Sequence, residues 1–150
     1  MVSNKRAGTQ FERQFAFLLS AHGFWAHLFQ DNRNGQPCDV IACRNGNTYL
    51  FDCKDCQGDY FVLSRMEENQ YNAMHLFELT GNGQGRFAIR FTNGAIYLVK
   101  YCQIKTLIDQ GIRRISQEEC RLYGEDFFMW LHIRDQIDGW CKNIENQDWK

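Results

Sequence analysis

Two aspartates and a lysine around an Asn-Gly turn are the residues of this 150-residue sequence best suited to chemistry. Asn45-Gly46 tolerates the positive φ angles of a tight type I′ hairpin turn. If these two residues form the turn, the numbers of cross-strand partners add up to 91, and Asp39 lies directly opposite Asp52. The Cβ atoms of such a pair lie about 4.5–5.5 Å apart on one face of the hairpin. Lys54, two residues beyond Asp52, shares that face.

The chemistry of these three groups depends on what balances their charge. Two carboxylates this close repel each other, and the apolar residues on both strands strengthen the repulsion. Lys54 supplies one cation, and a divalent metal ion would supply the rest. Oxygen ligands without a converging histidine favour Mg²⁺ or Mn²⁺ over zinc. The alternative is an internal ion pair at the end of a sheet, and a one-residue change of register would separate Asp39 from Asp52.

The rest of the pattern predicts an α/β (α+β) protein with a mixed central sheet flanked by helices. Helical periodicity occupies four segments: 9–21, 64–79, 103–110 and 130–144. Strand patterns occupy five segments: 24–29, 38–43, 48–54, 86–91 and 95–101. Thr9 with Glu12 and Ser64 with Glu67 fit capping boxes at helix starts. The length fits a single domain over 1–150.

Composition places the chain among globular proteins, with 44% hydrophobic residues and one proline. No apolar run approaches the ~18 residues that a membrane span needs, and the N-terminus lacks the apolar core of a signal peptide. Seven cysteines without such a signal indicate reduced thiols, so we expect a cytoplasmic protein. The net charge of −1, taken alone, argues against a nucleic-acid partner.

The segments Pro37-Cys38-Asp39 and Asp52-Cys53-Lys54 resemble the PD-(D/E)xK motif of restriction-endonuclease-like nucleases. Glu12 in the first helix, Gln70 in the helix after the motif and the two later strands make the resemblance more specific. Together they resemble Holliday junction resolvases of the archaeal and Gram-positive bacterial types, over roughly residues 8–105. The chain departs from the motif by the extra Cys38 and by an aspartate at position 52, where glutamate is commoner.

The resemblance implies an αβββαβ core over about 8–105, extra C-terminal helices over about 106–150, and a metal-dependent endodeoxyribonuclease. It places three carboxylates at an Mg²⁺ or Mn²⁺ site: Glu12, Asp39 and Asp52. The backbone carbonyl of Cys53 would complete the metal's shell, and Lys54 would orient the attacking water. Gln70 would position water or phosphate. Two alternatives stay open, since Glu12 could only cap its helix and Gln70 could be a solvated helix residue.

Partners follow from the same resemblance. DNA contacts are expected from five basic residues near the acidic cluster: Lys5, Arg6, Arg13, Arg33 and Arg65. Because a bound metal would cancel the three carboxylates, the remaining charge of about +2 no longer excludes DNA. Two symmetric nicks at a four-way junction favour a homodimer. The small size would suit a phage-encoded enzyme.

Parts of the sequence also fit other functions and other kinds of site. The motif is shared by other DNA nucleases, whether nicking, restriction-like or exonucleolytic, and a non-catalytic DNA-binding protein could keep the fold. The spacing of four cysteines suggests a zinc site: Cys38, Cys43, Cys53 and Cys56. Such a site is disfavoured, because strand alternation places Cys38 and Cys53 on the face opposite the aspartates and Cys43 on the other face. A redox pair of Cys53 and Cys56 is disfavoured because the pair follows a strand pattern and not a helix start. We expect buried, reduced thiols.

Overall fold

A computed structural model describes residues 4–29 and 38–140 of the chain. Its helices are α1 (Asn4–Ala21), α2 (Glu68–Leu79), α3 (Tyr101–Asp109), α4 (Gln117–Tyr123) and α5 (Phe127–Asp138). Its strands are β1 (Trp25–Leu28), β2 (Val40–Arg44), β3 (Asn47–Asp55), β4 (Tyr60–Val62), β5 (Arg86–Arg90), β6 (Ile96–Lys100), β7 (Arg114–Ser116) and β8 (Glu125–Asp126). Among these described residues, no helix is long and apolar enough to cross a membrane.

The main sheet has six strands in the order β1-β2-β3-β5-β6-β8. The central pair, β3 and β5, is parallel, and the other pairs are antiparallel. Parallel neighbours need a crossover, which α2 provides between them. A second, two-stranded sheet pairs β4 with β7. This architecture confirms the predicted mixed sheet flanked by helices.

The hairpin of β2 and β3 has the register that the turn predicts. Asn45 and Gly46 have φ angles of 54° and 78°, as a type I′ turn requires. Val40 is the partner of Phe51, so the partner numbers add up to 91. Asp39 lies one residue before β2, and its N–H donates to the carbonyl of Phe51 at 3.1 Å. The ladder therefore reaches Asp39 and brings it beside Asp52.

Each face of the sheet carries its own hydrophobic core. Phe11 and Phe15 of α1 pack with Phe51 and with Trp130 of α5 on one face. On the other face, Leu50 packs with residues of α2, α3 and β5. Since side chains alternate along β3, Asp52 and Lys54 share the face of Leu50. Asp52 and Lys54 therefore lie on the side of the sheet that α2 covers.

Both predicted capping boxes are wrong, because their helices begin elsewhere. Helix α1 starts five residues before Thr9, and the Thr9 hydroxyl donates to the carbonyl of Lys5 at 3.1 Å. Ser64 lies in a 3₁₀ turn, Leu63–Arg65, before α2 begins. A hydroxyl that bonds back to the preceding turn is a common alternative to capping. Glu12 therefore does not cap α1.

The C-terminal part contains strands as well as the predicted helices. Strand β8 pairs with β6 and forms the edge of the main sheet, and β7 pairs with β4. Strands of two and three residues are too short to show a periodicity in sequence. The helix predicted over 130–144 ends at Asp138, because Gly139 adopts a left-handed conformation with φ of 67°.

An ionic network fastens α5 to the hairpin and to the end of α1. The Arg44 guanidinium lies 2.7 Å from Asp135 and 2.8 Å from Asp138, and it donates to the carbonyl of His22 at 2.6 Å. The guanidinium also lies 4.1 Å from the centre of the Phe24 ring. The Arg44 and Asp138 side chains are almost fully buried, so each charge depends on the other.

Replacing Arg44 with methionine is expected to lower the free energy of unfolding by about 3 kcal/mol, because two carboxylates lose their cation. For a chain of this length the midpoint of thermal unfolding should fall by roughly 6–12 °C. Differential scanning calorimetry measures this change. Arg121→Met removes an arginine of an exposed pair with Glu118 and should leave the midpoint unchanged. Equal effects of the two substitutions would contradict a structural role for the network.

Candidate active site

Asp39 is fixed by the strand next to it. Its Oδ2 accepts a hydrogen bond from the N–H of Cys53 at 2.7 Å. Because β2 begins only at Val40, this carboxylate takes the place of the next main-chain acceptor along β3. The N–H and C=O of one strand residue point to the same side, so the Cys53 carbonyl also points past the end of β2.

Asp52 is a buried carboxylate that has a second carboxylate, Asp39, and one ammonium group, Lys54, as charged neighbours. Its exposed fraction is 2%, and its Oδ2 lies 3.0 Å from the Lys54 ammonium. Burial, followed by repulsion from Asp39, raises the pKa of Asp52 to about 8 despite the opposing effect of Lys54. Its Oδ2 has the ion pair but no well-aligned hydrogen bond from the described residues. A further cation beside Asp39 and Asp52 would relieve both the repulsion and the burial cost.

Gln70 links the start of α2 to Asp52. Its Oε1 accepts from the N–H of Glu67 at 3.0 Å, and the Glu67 side chain caps α2 in return. Its Nε2 donates to Oδ1 of Asp52 over a long 3.4 Å. The side chain is buried, so the alternative of a solvated helix residue is wrong. With both ends of its amide engaged, Gln70 holds the Asp52 carboxylate against α2.

If Asp52 binds a metal ion for DNA cleavage, as the motif predicts, replacing Gln70 with alanine should reduce metal affinity and cleavage by about 10-fold each, because the Asp52 carboxylate loses an orienting donor. The lost capping box should also lower the free energy of unfolding by about 1 kcal/mol. Isothermal titration with Mn²⁺ and a cleavage assay measure the first two effects. Asn72→Ala, at an exposed position of the same helix, is the control. An intact metal affinity in the Gln70 variant would contradict the positioning role.

A cavity of about 710 Å³ opens at the carboxyl end of β3, where it is lined by the residues that follow Asp52. Its walls come from α1, from the end of β3 and from the segment leading to α2: Lys5, Gly8, Thr9, Glu12, Cys53, Lys54, Asp55, Gln57, Arg65 and Glu67. The sequence did not predict two acidic residues of this wall, Asp55 and Glu67. Asp55 directly follows Lys54 of the motif, and Glu67 fits a capping box with Ser64, whereas in the structure it caps α2 together with Gln70.

Glu12 lies in the cavity wall. Its charge is close enough to contribute to the raised pKa of the Cys53 thiol, after burial and the effects of Asp39 and Asp52. Within residues 4–29 and 38–140, no three histidine, cysteine, aspartate or glutamate side chains are grouped so as to hold a metal. The structure therefore joins Asp39 to Asp52, while the role of Glu12 as a third ligand stays a prediction.

The basic residues expected to contact DNA fall into three groups. Lys5 and Arg65 line the cavity, and Arg65 also donates to the carbonyl of Asp55 at 3.0 Å. Arg6 and Arg13 are exposed on α1. Arg33 lies outside the described residues. Four of the five are therefore placed on or near the helix and turn that border the cavity.

The cysteines pack in separate cores. Cys38 lies in the core beneath α2, whereas Cys53 lies in the core beneath α1. The expectation that Cys38 and Cys53 share a face is wrong, because strand alternation does not extend beyond Asp39. Burial, followed by repulsion from Asp52 and Asp39, raises the pKa of Cys38 to about 12. Both thiols are free and protonated at neutral pH.

Comparisons with known proteins agree with this geometry. A search of curated proteins gives no match. Among solved structures, the fold is similar to that of Hjc, a Holliday junction resolvase from the archaeon Archaeoglobus fulgidus. The TM-score is 0.61 and the identity 17%, over 84% of this chain and 96% of that one. The family model of RecU, recombination protein U, matches residues 30–133, which run from before Asp39 into α5. The chain therefore belongs to the RecU family of Holliday junction resolvases, phosphodiester-hydrolysing nucleases of the PD-(D/E)xK type.

Proposed function

We propose that this protein resolves four-way DNA junctions by Mg²⁺- or Mn²⁺-dependent hydrolysis at Asp39, Asp52 and Lys54. The observation that carries the proposal is the carboxylate pair, with Asp52 buried, Asp39 half-buried and Lys54 beside Asp52. Such a pair has no evident structural use, because burying one carboxylate beside another opposes folding. It is what a hard cation requires, since Mg²⁺ is commonly bound by one or two carboxylates together with waters.

The donor atoms fit this ion. Carboxylate oxygens of Asp39 and Asp52 and the carbonyl oxygen of Cys53 would hold it, and Glu12 would serve as a further ligand at the cavity wall. The metal supplies a hydroxide at neutral pH and neutralises charge on the phosphate. Asp39 also orients the Cys53 peptide through the bond to its N–H. Asp52 is oriented in turn by Gln70 and Lys54.

Lys54 has a separate role in the reaction. Its ammonium lies 3.0 Å from Asp52 and lines the open cavity, so it can reach a water beside the carboxylates. There it orients the attacking water and stabilises the negative charge that develops on the phosphate oxygens. Gln70 is engaged with Asp52 and Glu67 and therefore acts on the reaction by positioning Asp52.

The DNA backbone is held by the basic residues at the cavity mouth and along α1. Lys5 and Arg65 stand in the wall itself, and Arg6 and Arg13 extend the positive surface along the helix. Arg33 precedes Asp39 in the chain and belongs to the same proposed set. These contacts are to phosphates, so binding should weaken as the salt concentration rises.

Resolution of a four-way junction takes two nicks in opposed strands, so we infer a two-fold homodimer. An exposed apolar stripe on α5 supports a second copy as partner: Met129, Ile133 and Ile137 recur at four-residue steps. Exposed patches of this kind mark interaction surfaces. Sedimentation equilibrium should give a dimer mass, and a monomer at concentrations that support cleavage would contradict the dimer.

The deciding experiment compares three DNA substrates of one sequence set: a four-way junction, a linear duplex and a single strand. In Mg²⁺ we expect paired, symmetric nicks in the junction and at least ~10-fold slower cleavage of the other two, with none in excess chelator. Equal cleavage of duplex and junction would favour another nuclease activity. Binding of the junction without cleavage in Mg²⁺ or Mn²⁺ would favour a non-catalytic protein.

A further inference from the structure

A second pocket lies at the opposite end of β3 from the carboxylates. Its volume is about 220 Å³, and its walls come from the hairpin turn, the glycine-rich loop and two arginines: Gly46, Asn47, Thr48, Tyr49, Gly81, Asn82, Gly83, Arg86 and Arg134. Asn47 and Lys54 are seven residues apart on β3, which corresponds to roughly 23 Å. This second pocket, the Arg86–Arg134 pocket, is therefore separate from the active-site cavity.

Two guanidinium groups converge in this pocket on one indole ring. Arg86 enters from β5 and Arg134 from α5, and their central carbons lie 5.9 and 5.7 Å from the ring centre of Trp130. The exposed fraction of Arg86 is only 8%. The Nε atoms of both arginines are buried and have no hydrogen-bond partner among residues 4–29 and 38–140. Arg86 donates from its Nη1 to the carbonyl of Gln84 at 3.3 Å.

No carboxylate of the described residues pairs directly with the positive charge of the pocket. Neither arginine forms an ion pair with any carboxylate in the described part of the chain. Burial lowers the pKa of Arg86; the charge of Glu125 opposes this effect, and the charge of Arg134 adds a smaller lowering. Arginine stays protonated in proteins, so neither group can relieve the repulsion by losing a proton. Burying Arg86 next to the half-buried Arg134 is costly unless an anion joins them.

We propose that the Arg86–Arg134 pocket binds a phosphate group. Guanidinium forks match the oxygens of a tetrahedral oxyanion, and they have donors here without acceptors. The pocket volume equals that of about seven waters, which is enough for a phosphate with part of its hydration shell. The loop that forms the rim is open, because Gly81 turns with a φ of 99° and Gly83 has no side chain to cover the entrance.

The phosphate has two possible sources, free inorganic phosphate and the backbone of DNA. A duplex rises about 3.4 Å per base pair, so the ~23 Å between the pocket and Lys54 equals some seven base pairs. A junction arm that enters the cavity could therefore present a second phosphate on the far side of the hairpin. This DNA source rests on the proposed nuclease function, whereas binding of the free ion does not.

The first experiment titrates the protein with inorganic phosphate at constant ionic strength and follows the Nε–H resonances of arginine and tryptophan by NMR. In the wild type we expect saturable shifts of Arg86, Arg134 and Trp130, with no such shifts in chloride. Arg134→Gln should weaken binding at least ~10-fold, and Arg134→Lys should restore part of it. Arg121→Gln, at an exposed position on α4, should bind as the wild type does. Absence of saturable shifts, or equal binding by Arg134→Gln, would overturn the proposal.

A second variant tests whether loss of phosphate binding could be caused by misfolding. Gly83→Asp places a carboxylate at the rim, where a Cβ atom would have no neighbour within 4 Å. It should abolish phosphate binding while leaving the midpoint of thermal unfolding unchanged. Wild-type phosphate affinity in Gly83→Asp would also overturn the proposal.

A third experiment, which tests the DNA backbone as the source of the phosphate, measures the affinity for a four-way junction at several salt concentrations without divalent metal. If the pocket takes a backbone phosphate, Arg134→Gln should reduce the slope of log affinity against log salt by about 1. An unchanged slope together with lost phosphate binding would assign the pocket to free phosphate. Failure of junction cleavage with intact phosphate binding would reject the nuclease function and leave the pocket standing.

Discussion

Replacing Asp52 with asparagine is expected to lower the rate constant for junction cleavage by about 1,000-fold or more. The substitution keeps the shape of the side chain, and the amide can still contact Gln70, so the fold should survive. What it removes is the negative charge that balances a divalent cation between Asp39 and Asp52. Single-turnover cleavage of a labelled four-way junction in saturating Mg²⁺ measures the effect.

Metal binding by the same variant separates this explanation from a general loss of structure. Wild-type protein should bind Mn²⁺ and unfold at a higher temperature when Mn²⁺ is present. Asp52→Asn should lose both effects, while its unfolding midpoint in chelator stays close to or above that of the wild type. Asp59→Asn changes an exposed aspartate in the following loop and should behave as wild type in both assays. Cleavage by Asp52→Asn at a near wild-type rate would show that the site is assigned wrongly.

Replacing Lys54 with glutamine is expected to lower cleavage by roughly 100- to 1,000-fold while Mn²⁺ binding is kept. The ammonium stabilises charge that develops in the transition state, and it is not a metal ligand. Removing it also leaves the carboxylates more negative, so the affinity for Mn²⁺ should equal or exceed that of the wild type. Titration calorimetry and the single-turnover assay together measure the two effects.

The contrast between the two substitutions is the informative result. Asp52→Asn should lose cleavage and metal binding together, whereas Lys54→Gln should lose cleavage alone. Lys105→Gln, which removes an exposed lysine paired with Asp109, controls for the change in net charge. If Lys54→Gln lost Mn²⁺ binding as fully as Asp52→Asn, the lysine would be structural and its proposed role in the reaction would be wrong.

The hairpin could be predicted from sequence because one turn determines its register. Asn45 and Gly46 accept positive φ angles, and every pairing of β2 with β3 follows from their position. The shared face of Asp39, Asp52 and Lys54 then follows from strand alternation. The turn register and the PD-(D/E)xK motif both select Asp39, Asp52 and Lys54. This agreement is why the fold and the family could be predicted correctly from the sequence.

Other features depended on contacts between distant segments. The pattern from Thr9 to Glu12 fits a capping box equally well inside a longer helix, so sequence could not locate the start of α1. The buried amide of Gln70 is satisfied by two hydrogen bonds, one from the N–H of Glu67 and one to the carboxylate of Asp52. Burial and pairing of this kind arise from tertiary packing and leave no periodic signal.

The Arg86–Arg134 pocket was invisible in sequence for a similar reason. Its two arginines belong to a strand and a helix 48 positions apart, and arginine is normally assigned to the surface. Their meeting point on Trp130 exists only because α5 packs across the sheet. The edge strand β8, which precedes α5, was missed because of its short length.

The most direct test of the account is the position of Mn²⁺ in a crystal of the protein, located by its anomalous scattering. We expect a peak between the carboxylates of Asp39 and Asp52, within about 2.0–2.5 Å of their oxygens and of the Cys53 carbonyl. The same crystals grown from Asp52→Asn should lack the peak. A protein that cleaves junctions in Mn²⁺ while its anomalous peak lies elsewhere, or is absent, would contradict the assignment of the active site.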